Sequence, residues 1–215
     1  MAARRIAIGI AGMFLVSQAG CGLFSLHQTA RVLEPNEESV QLSIDQQPVA
    51  DFDGRVTASD LRYAMGLGKG WEGGFRYVVG GGLGIDLKKQ VTNENSESLP
   101  ISTAASVSAL IADAGEEGQF DLYNGQIMAS RVVGRFEPYG ALRYQYTSLR
   151  EDPNEFREHT RHAILGTRID LGAGFFIGVE GSYVDGERDD GFVFGGTFGY
   201  RWIPARKKTG TAARK

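Results

Sequence analysis

Histidine, serine and acidic side chains that could form a hydrolytic site occur in the C-terminal half of the chain. His159 and His162 are three residues apart. In a strand that spacing puts the two imidazoles on opposite faces, so they would not bind one metal ion. Ser182 and either Asp185 or Asp189 could approach His159 if their strands were neighbours. Nothing in the spacing requires this, so we predict no catalytic residue, no metal site and no cofactor, with a lipid-acting hydrolase as an alternative.

A second set of polar residues is charged and alternates with apolar residues along the chain. Arg143, for example, stands between Leu142 and Tyr144. Charges that face a closed interior must form ion pairs, and we expect Arg168 and Glu180 to form one such pair. The predicted interior charge network comprises Arg62, Arg76, Asp86, Lys88, Arg143, Arg168, Asp170, Glu180 and Arg201.

The elements that must position these side chains are strands. From Phe175 to Tyr183 and from Phe192 to Trp202, every second residue is apolar or glycine, and most of the residues between are small or polar. A period of two is the signature of a strand with two different faces. The same alternation recurs through residues 39–202 and predicts about ten strands, with eight or twelve also compatible with the pattern.

The predicted fold is all-β, an antiparallel up-and-down transmembrane β-barrel. The sequence has no uninterrupted run of the roughly 18 apolar residues that a membrane-spanning helix needs, and a closed barrel is the other way to satisfy every backbone polar group in lipid. A soluble lipocalin-like barrel has the same period with the faces exchanged. The polar face favours the membrane barrel because its small residues suit a narrow lumen: Gly66, Gly84, Ser106, Gly166, Gly178, Gly195 and Gly199.

Aromatic residues on the apolar face lie near the predicted strand ends. Outer-membrane barrels carry such residues in two girdles, one at each membrane surface. We therefore predict a girdle that contains Tyr63, Tyr77, Tyr144, Tyr146, Tyr183, Tyr200 and Trp202.

The first residues of the chain are typical of a signal peptide, predicted as residues 1–20. Arg4 and Arg5 precede the uncharged segment Ile6–Val16, which is too short to span a bilayer. Ala19-Gly20-Cys21 resembles the end of a lipobox, so we expect cleavage before Cys21 and its lipidation; ordinary cleavage after Ala19 is the alternative. Residues 21–38 then read as a lipid-anchored tether with a solvated His27, residues 39–202 as the barrel and residues 203–215 as a basic disordered tail.

Two segments resemble small outer-membrane barrels of the outer-membrane protein A membrane-domain type. They are residues 136–144, Phe-Glu-Pro-Tyr-Gly-Ala-Leu-Arg-Tyr, and the closing Phe198-Gly199-Tyr200-Arg201-Trp202. The resemblance, to a lipoprotein-anchored variant, implies the outer membrane of a Gram-negative bacterium, with outer-membrane lipid and the insertion machinery as partners. Such barrels often end at an aromatic residue, whereas this chain continues to Lys215. An even number of strands puts both termini on the same side of the membrane, and the expected lipid anchor makes that side the periplasm.

Composition and fold together define the expected function. The net charge of −3 gives no argument for nucleic-acid binding. A barrel with a small strand number, about eight, has a filled interior, so we expect a structural or surface-interaction role. Loops such as Arg150–Glu158 would be presented to a partner. The sequence does not identify this surface or periplasmic protein. The alternatives are a narrow diffusion channel, a lipid-modifying enzyme and a soluble periplasmic lipocalin-like binder.

Overall fold

A computed structural model describes residues 27–49, 54–79, 81–94, 100–113, 119–151, 154–186 and 190–204. The expected signal peptide, Cys21 and residues 205–215 of the expected tail lie outside these ranges. Within them no helix is long and apolar enough to cross a membrane.

Ten antiparallel strands form one closed barrel in which each strand pairs with its neighbours in sequence and β1 pairs with β10. The strands are β1 Glu38–Val49, β2 Gly54–Gly68, β3 Trp71–Val78, β4 Gly82–Thr92, β5 Ser102–Asp113, β6 Gln119–Ser130, β7 Phe136–Glu151, β8 Asn154–Gly172, β9 Phe175–Gly186 and β10 Asp190–Trp202. The prediction of an all-β, up-and-down barrel of about ten strands is confirmed.

The barrel has two different ends. The termini end carries Glu38 and Trp202, which pair with each other, and the short connection between β9 and β10 marks the opposite loop end. At the termini end, β8 and β9 are joined through Ala173 and Gly174, both with positive φ. A side chain at Gly174 would collide with the carbonyl of Arg201, so only glycine permits this close approach of the turn to β10.

The hairpins at the loop end are longer than the sequence predicts. The predicted loop Arg150–Glu158 is mostly strand, because β7 and β8 stay paired as far as Glu151 opposite Asn154. That prediction is wrong. The highly charged composition suggested a loop, but antiparallel pairing needs only backbone groups, and the alternating pattern of two faces continues through His159 and Thr160.

The two faces of the sheet differ as the alternation predicts. Large apolar side chains such as Leu165 and Ile85 lie on the outer face, 75% and 64% exposed. Polar side chains such as Gln145 and Ser43 lie inside and are fully buried. The barrel therefore has an apolar exterior and a polar, densely filled lumen.

Candidate functional site

The most unexpected feature of the lumen is that the chain's own N-terminal segment fills part of it. We call residues 27–34 the lumen segment. His27, Gln28, Thr29 and Ala30 are each at most 4% exposed. The expectation that His27 is solvated is therefore wrong.

The lumen segment enters the barrel through its termini end. A turn at Pro35-Asn36 connects it to β1, and the Asn36 amide donates a 3.0 Å hydrogen bond to the carbonyl of Gly66 on β2. His27 lies beside Asp45, a residue seven positions along β1 from its start at Glu38. The segment thus runs from the middle of the lumen down to the termini end, antiparallel to β1.

Two glycines make room for the segment. A Cβ at Gly66 would collide with the carbonyl oxygen of Glu34, and one at Gly195 would collide with the Asp45 carboxylate and lie 2.9 Å from the His27 ring. The sequence offered these glycines as signs of a narrow lumen; their places show that they also admit a chain segment.

Hydrogen bonds from the barrel wall hold the backbone of the lumen segment. Lys88 Nζ donates to the carbonyls of Arg31 at 2.9 Å and Thr29 at 3.3 Å. The Leu33 amide donates to Glu72 Oε2 at 2.9 Å, and the Ala30 amide donates to Ser130 Oγ at 3.2 Å. Side-chain contacts are fewer: Gln28 donates to Asp86 at 3.3 Å and His27 Nε2 lies 3.0 Å from Asp45 Oδ1. Because most of these hydrogen bonds involve backbone groups of the segment, its side chains need not follow an apolar pattern.

Three of these wall residues, Lys88, Glu72 and Asp86, form a compact cluster of two cations and two anions with Arg62. Arg62 donates to both Asp86 oxygens, at 2.5 and 3.0 Å, and to Glu72 Oε1 at 2.9 Å. Lys88 Nζ lies 3.0 Å from Glu72 Oε2. All four side chains are at most 5% exposed. Removing one member of such a buried cluster typically costs about 3–5 kcal/mol, because a partner charge is left uncompensated.

Glu180 belongs to a different cluster from the one that the sequence suggested. The Tyr139 hydroxyl donates to Glu180 Oε2 at 2.8 Å. Tyr139 on β7 reaches Glu180 on β9 across Gly166 of β8, where any Cβ would overlap the tyrosine ring. Arg168 instead donates to Glu137. The predicted Arg168–Glu180 pair is therefore wrong, because Tyr139 lies over Gly166 and binds Glu180 while Arg168 binds Glu137.

The remaining network residues lie at two levels. In the middle of the lumen, Arg76 Nη1 lies 3.4 Å from Asp60 Oδ2 and Arg143 Nε donates to Gln126 Oε1 at 2.9 Å. At the termini end, Arg201 donates to Asp170, and both side chains are partly exposed, 26% and 39%.

Sequence reasoning missed several lumen residues that alternation could have found. Glu72 and Glu137 occupy inward positions, on β3 and β7, and are buried. The same holds for Asp60 on β2. His27 could not be found this way, since no period-two pattern extends to residue 27.

The residues of the hypothetical hydrolytic site do not come together. His159 faces outward and shares a 2.5 Å hydrogen bond with the Tyr144 hydroxyl, whereas Ser182 faces the lumen and is 7% exposed. Asp185 also faces outward, and Asp189 lies outside the described residues. His162 lies inside, 3.1 Å from Thr160 Oγ1. Among the described residues no group of three or more His, Cys, Asp or Glu could hold a metal ion.

The aromatic residues named from the sequence occupy two levels of the outer face. Tyr63, Tyr200 and Trp202 lie toward the termini end, and the others lie toward the loop end: Tyr77, Tyr144, Tyr146 and Tyr183. On β7, ten positions separate Phe136 from Tyr146. At about 3.3 Å per residue and a tilt of roughly 35–45°, these rings are about 23–27 Å apart along the barrel axis, close to the ~25 Å apolar band of outer-membrane barrels.

Comparisons with known proteins return similar structures but no similar sequence. No family model matches the chain, and no curated protein matches it. An outer-membrane channel from Pseudomonas putida is 12% identical, with 80% of this chain and 98% of that chain covered and a TM-score of 0.49. The N-terminal β-barrel domain of Pseudomonas aeruginosa OprF is 10% identical, with 79% and 100% covered and a TM-score of 0.39.

A loop-deletion mutant of the Vibrio cholerae outer-membrane protein OmpT is 11% identical, with a TM-score of 0.41. The alignment covers 75% of this chain and 62% of that chain. Identities and TM-scores this low carry no functional inference.

Proposed function

We propose that this chain is an outer-membrane β-barrel with a structural or surface-interaction role, and that its lumen is closed by the lumen segment. The observation that carries the membrane assignment is the distribution of polarity between the two faces. Leu165, Ile85, Val107 and Phe194 are 60% exposed or more on the outer face, and so extensive an apolar exterior is rare on a soluble monomer. A soluble lipocalin-like binder would place these residues inside.

The closed lumen follows from the width of a ten-stranded barrel. An eight-stranded barrel is filled by its own wall side chains, whereas two more strands widen the interior. Here the lumen segment takes up that additional space and bonds to Lys88, Glu72 and Ser130 of the wall. We expect a plugged barrel and no steady ion flow.

A bilayer-conductance measurement separates the plugged barrel from a narrow channel. Purified wild-type protein should give no single-channel currents, and a variant that lacks residues 27–34 should conduct. Steady wild-type currents would favour the channel instead. Heat-modifiable gel mobility shows whether the variant is folded. If neither the wild type nor the folded variant conducts, the wall alone closes the lumen, and the role of the segment is contradicted.

Membrane location is tested separately from closure. The protein should resist carbonate extraction and fractionate with outer membranes. Recovery in a detergent-free soluble fraction would contradict the membrane barrel, whatever its conductance.

The sidedness of the chain is part of the same proposal. We place the termini end in the periplasm and the loop end at the cell surface, as short turns and longer loops suggest. Antibody labelling of whole cells tests this: an epitope fused after Gly22 should be inaccessible in intact cells and become labelled after permeabilisation. Labelling in intact cells would place the N terminus at the surface.

A further inference from the structure

An apolar groove crosses the outer face of the barrel from β5 to β10. Its volume is about 940 Å³. The floor is formed where outward positions on neighbouring strands are small: Ala105, Ala129, Gly140, Ala163 and Gly181. Larger side chains line its edges: Leu142, Leu165 and Phe194.

A group of polar side chains continues the groove toward the loop end. On β8 the outward positions beyond Ala163 are Arg161, His159 and Arg157, and all three are exposed. Arg161 lies two residues from Ala163 on the same face, a separation of about 6.6 Å along a strand. Among the side chains that the structure describes, Arg157 and Arg161 are the cations on the outward face of the loop-end half.

The neighbours of Arg161 leave much of its guanidinium accessible. Its side chain is 78% exposed, and among the described side chains the nearest carboxylate, that of Asp185, approaches only to 4.0 Å. A second described acid of this region, Asp190, accepts a 2.8 Å hydrogen bond from the Tyr183 hydroxyl. His159, two residues from Arg161 on β8, contacts β7 instead of β9. Its Nδ1 lies 2.5 Å from the Tyr144 hydroxyl oxygen, and its ring centroid lies 5.0 Å from that of Tyr146.

The depth of Arg161 matters because a cation on a lipid-facing surface needs an anionic or aqueous partner. Arg161 pairs with Tyr144, at the level of the aromatic residues that mark a membrane surface. An arginine there extends toward the head groups and meets their phosphates. Guanidinium groups bind phosphate oxygens in a bidentate manner.

We propose that Arg157, Arg161 and the adjoining groove form one binding site for a phosphate-bearing anionic lipid. The phosphate binds to the arginines with His159 beside it, and an acyl chain lies in the groove over Ala163, Gly140 and Gly181. Charge complementarity at one end and a predominantly apolar groove at the other select this amphipathic occupant over a second protein chain. The site rests on the proposed membrane location of the barrel.

The test is native mass spectrometry of the full protein, released from detergent with phosphatidylglycerol or phosphatidylcholine. Wild-type protein should retain phosphatidylglycerol preferentially. The Arg157→Gln/Arg161→Gln variant should lose that preference by about tenfold or more, since each cation near an anionic surface contributes about 1 kcal/mol. The control variant Arg131→Gln/Arg135→Gln removes two exposed cations at the termini end and should behave as the wild type.

A second variant tests the groove independently of the arginines. Gly140→Val/Ala163→Leu fills the floor; a Cβ at Gly140 makes only ordinary contacts, at 3.5 Å from Leu165, so the barrel should fold. Retention of both lipids should fall. Inorganic phosphate in millimolar excess should not displace the lipid.

Equal retention of both lipids by the wild type, or no change in the arginine variant, would overturn the proposal. Displacement of the lipid by inorganic phosphate would show an anion site that does not use the groove, and would also overturn the proposal. These outcomes leave the membrane location untouched, because carbonate extraction measures that separately.

Discussion

The substitution Lys88→Met tests how the lumen segment is held. The ammonium group of Lys88 has three acceptors: the carbonyls of Thr29 and Arg31, at 3.3 and 2.9 Å, and Glu72 Oε2 at 3.0 Å. Methionine keeps the length and volume of the side chain but removes the donors and the charge. Hydrogen bonds from a charged group contribute about 1.5–3 kcal/mol each, so loss of the two bonds to the segment should destabilise its bound position by about 3 kcal/mol or more.

The expected effect is a local opening of the lumen rather than global unfolding. A change of about 3 kcal/mol raises the population of the released segment by roughly 100-fold, at 1.4 kcal/mol per factor of ten. Hydrogen exchange measured by mass spectrometry on a peptide that spans residues 27–34 should show that loss of protection at the Ala30 and Leu33 amides. Peptides from β7 and β8 should keep their protection.

The adjacent lysine supplies a matched control. Lys89 faces outward, with its ammonium 4.9 Å from the centre of the Trp71 ring, so Lys89→Met should leave exchange in residues 27–34 unchanged. Unchanged exchange in folded Lys88→Met would refute the claim that Lys88 holds the segment. If Lys88→Met fails to fold, Ser130→Ala offers a second test: it removes the hydroxyl that accepts from the Ala30 amide and donates to Glu137 Oε1 at 2.9 Å. Exchange at the Ala30 amide should rise about fivefold. No rise would also refute the claim that the wall holds the backbone of the segment.

The other predictions concern the Tyr139–Glu180 contact, the space at Gly166 and the lipid anchor. Tyr139→Phe should lower the free energy of unfolding in urea by about 1–3 kcal/mol, because Glu180 loses a buried donor, whereas Tyr144→Phe on the outer face should change it by less; equal effects would contradict the buried contact. Gly166→Val should prevent folding or cost several kcal/mol, because its Cβ overlaps the Tyr139 ring, while Gly125→Ala, with no atom within 4 Å of the new Cβ, should be nearly neutral. A folded Gly166→Val barrel of wild-type stability would disprove that packing. Cys21→Ser should abolish incorporation of labelled palmitate, and absence of label in the wild type would remove the anchor.

The sequence predicts the wall of this barrel well because alternation is a local property. Leu142, Arg143 and Tyr144 show it directly: the two apolar residues are exposed on the outer face and the arginine is buried inside. Strand number followed from counting such segments. Strand ends did not, since the pairing of Arg150 with Glu155 at the loop end depends on the partner strand and not on composition.

The interior contacts were harder to predict because they depend on three dimensions. Arg168 and Glu180 lie on neighbouring strands and the same face, yet Tyr139 from a third strand decides their partners by crossing Gly166. The lumen segment was missed for a related reason. Its hydrogen bonds use mainly backbone groups, and a backbone group leaves no mark in the sequence.

The most direct test of the central claim is which face of the sheet meets lipid. Single cysteines are introduced in a Cys21→Ser background at Leu165, on the outer face, and at Ser43, in the lumen, and are then spin-labelled in the reconstituted protein. The label at position 165 should be relaxed by oxygen and shielded from a water-soluble nickel complex, as expected in hydrocarbon. The label at position 43 should be relaxed little by oxygen, because the filled lumen contains no hydrocarbon. Exposure of position 165 to the nickel complex, with oxygen-dominated relaxation at position 43, would contradict the membrane barrel.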